Sequence, residues 1–173
     1  MYPILRVFRV FGLLGAVLLL SGPAAAETLR LSQKPDVVLE HQRMPGNARA
    51  QAERRGVIRS VPHLFVYHPD ARHSPAFYLN GFRRGFERQL APELDRFRVQ
   101  RSMVPLERLL TNAVNADGRS LTPGDLPRRR AVFVLYRSAD CDECDLVAGA
   151  LDAWLGQRPA FQIVRIEIDV ALP

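Results

Sequence analysis

Residues 131–155 read AVFVLYRSADCDECDLVAGALDAWL, and the fold turns on how this stretch is read. The apolar run Val132–Tyr136 has the length of a buried strand and is too short for a helix. A polar turn follows, then Cys141-Asp142-Glu143-Cys144. After it, Leu146, Val147, Ala150, Leu151, Trp154 and Leu155 recur at the spacing of one helix face. Gly156 is a natural stop for that helix, and Pro159 cannot continue it. Strand, Cys-x-x-Cys and amphipathic helix, in that order, present a vicinal cysteine pair at a helix N-terminus.

The amino end reads as an address label. Arg6 and Arg9 form a basic region, Val10–Leu20 is an apolar core too short to span a bilayer comfortably, and Ala24-Ala25-Ala26 offers a small-residue cleavage site. Residues 1–26 are therefore expected to be a signal peptide, with the mature chain starting at Glu27. The expected location is periplasmic or secreted, without stable membrane insertion after cleavage. The 24 basic residues lose Arg6 and Arg9 with this leader, which leaves 22 against 18 acidic ones and a net charge of +4. Lys34 is the only lysine, a usage typical of a GC-rich bacterial genome. The arginines are scattered, with Arg128-Arg129-Arg130 the one triplet, and lack the clustering with aromatics that a nucleic-acid surface requires, so no nucleic-acid partner is expected.

Cys141 and Cys144 are the only cysteines. In an oxidising compartment they pair with each other or exchange with a client. A ring this small braces a fold little, because the entropic benefit of a disulfide grows with loop length. The pair is thus better explained by chemistry than by bracing.

Along the rest of the chain, residues 27–60 are weakly patterned, with alternation only at Thr28–Leu31, and read as an N-terminal arm or linker. Residues 61–173 read as one α/β domain. His63–His68 is a strand ended by Pro69-Asp70. Ser74-Pro75 looks like a helix start, and Phe77, Phe82, Phe86 and Leu90 extend that helix over Pro75–Leu90. Phe97–Ser102 alternates like a half-buried strand, and Pro105 opens a short helix carrying Leu106, Leu109, Leu110 and Val114. Asn115–Arg130 is turn-rich. Phe161–Asp169 is a last strand, with Arg165, Glu167 and Asp169 pointing outward.

This order, β-α-β-α-β-α-β, predicts a mostly parallel sheet flanked by helices. Ligands gather where the carboxyl ends of parallel strands meet, so His68/Asp70, Ser102/Met103 and Ser138–Cys141 are expected on one rim. On that rim His68 and His73 could join the cysteines around zinc. Histidines near strand ends are more often surface or hydrogen-bonded residues, so no metal and no cofactor are assigned. No Gly-x-Ser-x-Gly elbow and no phosphate-binding glycine loop is present.

A helix N-terminus stabilises a thiolate through its free N–H groups and dipole, which makes Cys141 the attacking sulfur and Cys144 the resolving one. Asp140, Asp142, Glu143 and Asp145 oppose it, each by about 1 kcal/mol at contact distance in water. The expectation is a slow nucleophile and a reducing-leaning or merely structural pair.

Residues Val132–Asp169 resemble the first β-α-β of the thioredoxin-like superfamily, with Cys141-Asp142-Glu143-Cys144 in the place of its redox motif. The resemblance implies an α/β, thioredoxin-like domain with Cys141 and Cys144 as catalytic residues. Where the family has an aromatic before the first cysteine, this chain has Asp140. The family continues with a helix, a cis-proline facing the disulfide, a β-hairpin and a last helix. Here the sequence given ends four residues beyond the second strand, so the domain is expected to be incomplete or rearranged. Two functions fit these residues. One is an exported thiol–disulfide oxidoreductase acting on cysteine-containing proteins or taking electrons from a membrane donor. The other is a non-catalytic envelope adaptor or binding module with a structural disulfide.

Overall fold

A computed structural model describes residues 27–37, 56–58, 60–95 and 104–171. The expected signal peptide, the strand at Phe97–Ser102 and Ser102/Met103 lie outside the described residues. In chain order the elements are β1 (Glu27–Gln33), β2 (His63–Tyr67), β3 (Phe77–Asn80), α1 (Glu87–Asp95), α2 (Leu106–Thr111) and β4 (Ala113–Val114). After a single 3₁₀ turn at Pro123–Asp125 come β5 (Ala131–Arg137), α3 (Asp142–Gly156) and β6 (Ile163–Asp169).

The six strands form one sheet in the order β3-β2-β5-β6-β1-β4. β5, β6 and β1 are parallel, while β2, β3 and β4 pair antiparallel to their neighbours. The sheet is therefore mixed, not mostly parallel. The alternation rule misleads here because the segment between β2 and β3 is a hairpin connection and not a crossover helix. Residues 27–33, read as part of an arm, are a strand inside the sheet, paired along their length with β6.

β5 sits in the middle, and its apolar run is explained by cover on both faces. Val132, Val134 and Tyr136 face a layer built from α2 and its flanking segments, together with Phe65, Tyr67, Ile166 and Ile168. Ala131, Phe133 and Leu135 face α3 and α1, packing with Leu64, Val66, Val147, Leu151 and Trp154.

The helix expected over Pro75–Leu90 is replaced by β3, a turn, and α1 from Glu87. Leu79 pairs with Leu64 and Phe77 with Val66, so these side chains alternate with period two on the β2 ladder. The helix-like spacing of Phe82 and Phe86 belongs to the following turn. There Gly81 and Gly85 take φ values of +73° and +81°, which a continuous helix forbids. The Val61–Pro62 peptide just before β2 is cis.

Within α3, Cys144, Val147, Leu151 and Trp154 are the buried residues, whereas Leu146 is 53% exposed and lies off the face assigned to it. On β6, Arg165 and Glu167 do not point to solvent. They are buried beneath α3, where Arg165 pairs with Glu167 at 2.7 Å and with Asp152 of α3. Arg137 pairs with Glu167 at 3.4 Å and with Asp145 of α3 at 3.0 Å.

Removing one partner of a buried pair strands the other charge. Arg165→Met should cost about 3–5 kcal/mol of stability. Arg165→Met combined with Glu167→Leu should recover most of that loss. Urea denaturation of the two variants is the check.

Candidate functional site

Cys141 stands at the N-cap of α3 in extended conformation (φ −128°, ψ 92°), so the helix begins at the residue after it. It is bonded to Cys144, with a Cα–Cα distance of 5.2 Å. The two sulfurs have unequal surroundings. Cys144 is fully buried against the core, while Cys141 is only partly buried. The backbone N–H of Cys144 donates to the Cys141 sulfur at 3.1 Å. That N–H also lies 3.0 Å from the Cys141 carbonyl, so it is shared between the first helical turn and the sulfur. The structure thus places both sequence-predicted site residues together, with the amide donor that a thiolate at this position would use.

The four surrounding acids divide into two kinds. Glu143 Oε2 accepts from the Phe82 N–H at 3.1 Å, and Asp145 is held by Arg137. Asp140 and Asp142 are exposed, and among the described residues neither has an ion-pair partner. Two of the four charges expected to oppose the helix dipole are therefore engaged elsewhere.

The antiparallel direction of β2 rearranges the rim. His63 is opposite Tyr136 and Tyr67 opposite Val132, so the amino end of β2 lies beside the carboxyl end of β5. His68 and Asp70 consequently sit at the far edge of the sheet from Cys141, and the expected common rim is corrected. The far edge instead holds a cavity of about 360 Å³ lined by His68, Asp95, Arg129 and Phe161 among others. The same reversal removes the geometry by which His68 and His73 would share a zinc ion with the cysteines. Among the described residues no cluster of three or more histidine, cysteine or acidic side chains is poised for a metal.

Residues the sequence reading passed over take the vacated places. Pro62 precedes β2 on the disulfide side, and its carbonyl accepts from the Gly81 N–H at 2.9 Å. The adjacent Phe82 N–H is the one that reaches Glu143. Two hydrogen bonds therefore connect the start of β2, the end of β3 and the first turn of α3. A proline directly before a strand was the available signal, but its partner strand was not visible.

Burial shifts one titratable group at this edge, His63. It lies on the face away from α3, between Ser60 Oγ at Nε2 (2.9 Å) and the Tyr78 hydroxyl at Nδ1 (2.8 Å), with its ring stacked near Phe65. Burial pushes its pKa from 6.5 down to about 4. The unfolded chain takes up this proton near pH 6.5 and the folded chain only near 4. The unfolded state therefore binds more protons in that window, and stability falls as pH drops through it. The loss should approach about 3 kcal/mol between pH 7 and 4, and His63→Gln should flatten it. Denaturant unfolding measured across this range tests the sign and the size.

No protein-family model matches this chain, and neither the curated proteins nor the solved structures provide a match.

Proposed function

We propose that this is an exported thioredoxin-like protein that performs thiol–disulfide exchange through Cys141 and Cys144. The observation that carries the reading is the asymmetry of the pair: a partly buried Cys141 at a helix N-cap, its sulfur accepting an amide N–H, and a fully buried Cys144 one turn in.

A second observation supports the family resemblance. The elements that the family places after its first β-α-β unit occur here before it. The β2–β3 hairpin and helix α1 both precede β5 in sequence, yet β2 is hydrogen-bonded to β5 and α1 packs in the same layer as α3. The arrangement in space can be kept while the order in the chain is circularly permuted, because a sheet is held by its ladders and not by its connections. On this reading the domain is rearranged.

In the reducing direction the Cys141 thiolate attacks one sulfur of a client disulfide. The client S–S bond breaks, and one client sulfur leaves as a thiolate that takes a proton. The Cys144 thiolate then attacks the Cys141 sulfur and expels the second client thiol. Two electrons pass to the client, and the Cys141–Cys144 disulfide is left for an external dithiol donor to reduce.

With dithiothreitol as donor, the protein should accelerate insulin reduction, and Cys141→Ser should abolish the acceleration. Equal activity in the two proteins would favour the adaptor with a structural disulfide. In the reduced protein, Asp140→Asn and Asp142→Asn should each speed alkylation of Cys141 at neutral pH, since each removes an exposed charge that opposes a second anion. Thiol alkylation rates against pH measure this directly.

A further inference from the structure

A second concave feature lies between α1 and α3, away from the cysteine pair. It has a volume of about 470 Å³ and is lined by Arg84, Arg88, Arg158, Trp154, Ala150 and Ala153, among others. Arg84 and Arg88 stand on the α1 side, and Arg158 stands on the opposite side, just past the end of α3. Glu87 is the one carboxylate among the lining residues. Among the described residues no carboxylate pairs with any of the three arginines.

Arg158 is already positioned. Its guanidinium carbon lies 4.6 Å from the centre of the Trp154 ring, and its Nη1 donates to the Trp154 carbonyl at 3.2 Å. Trp154 is 4% exposed, and its indole N–H is buried without an acceptor among the described residues. Ala150 and Ala153 keep the α3 wall low, which leaves the space open.

We propose that this groove binds a small multivalent oxyanion, phosphate- or carboxylate-bearing, with Arg84, Arg88 and Arg158 as its charged donors. Arg84 and Arg88 are exposed and Arg158 is partly buried, and the forked donors of a guanidinium match phosphate and carboxylate oxygens. The volume is that of a small-molecule site. The proposal is independent of the redox reading, since none of these residues touches the cysteine pair.

Trp154 is the only tryptophan of the chain and lines the groove, so tryptophan emission comes from one known position in its wall. The purified protein is titrated with pyrophosphate and, separately, with citrate, each at constant ionic strength, with sodium chloride as the control. A saturable change in Trp154 emission is expected with at least one of the two anions. Affinity should fall about tenfold in Arg88→Gln, as expected for one lost charge-assisted hydrogen bond, and should be unchanged in Arg128→Gln on the exposed surface. Calorimetry should give the same loss for Arg158→Gln, whose effect on the stacked ring complicates the optical signal. Saturation by pyrophosphate alone identifies a phosphate ligand, and saturation by citrate alone a polycarboxylate. A response that chloride reproduces, an absent response to both anions, or full affinity in Arg88→Gln overturns the proposal.

Discussion

A strand that is apolar on both sides cannot stop at one covering layer. Ala131 through Tyr136 are all buried, and each large side chain among them is worth roughly 1.5–3 kcal/mol only when water is kept from it. β5 therefore requires neighbours on both edges and helices on both faces. The remaining elements satisfy that demand: β2 and β6 along its edges, α3 with α1 on one face, and α2 with its flanking segments on the other. The cysteine pair inherits its position from this arrangement, because only four residues separate α3 from the strand whose face it covers.

Apolar packing alone would hold α3 against the sheet without fixing where it sits. The charges beneath it supply two attachments. Asp145, one residue beyond Cys144, meets Arg137 at the end of β5, and Asp152 meets Arg165 on β6, with Glu167 joining both arginines from below. Arg165 and Glu167 are each less than a tenth exposed, so neither charge can be satisfied by solvent, and their mutual pairing is the condition for burying them. The first turn of α3 is held from the other side as well, through Glu143 and the Phe82 amide. Acidic residues that look from sequence like a collar of repulsion around the thiols are in two cases the fasteners of the helix that carries them.

The two sides of the sheet edge near the disulfide differ in chemistry. On the α3 face stand the sulfurs and their charged supports. On the opposite face, His63 is kept neutral by burial, between two hydroxyl groups. The arginine-lined groove is displaced along α3 toward its carboxyl end, where Arg158 and Trp154 line it together with Arg84 and Arg88. One helix thus carries the disulfide at one end and lines the groove at the other.

Local pattern alone determined the strand Val132–Tyr136, the helix start at Cys141, the stop near Gly156 and the strand ending at Asp169. Each of these rests on contiguous residues whose periodicity or capping chemistry is complete within one segment. The same logic failed where two periods coincide. Phe77, Phe82 and Phe86 fit a helix stripe, but Phe77 and Leu79 answer to Val66 and Leu64 across a ladder that no single segment reveals. Strand direction was likewise undetermined, and with it the rim: whether His63 or His68 stands beside the cysteines depends on whether β2 runs with or against β5. The burial of Arg165 and Glu167 was hidden for a related reason, since a charged residue alternating on a strand looks outward until a helix bearing the complementary charge is laid over it. Chemistry carried by neighbours in sequence was legible; chemistry that needs two distant segments in register was decided only by the sheet.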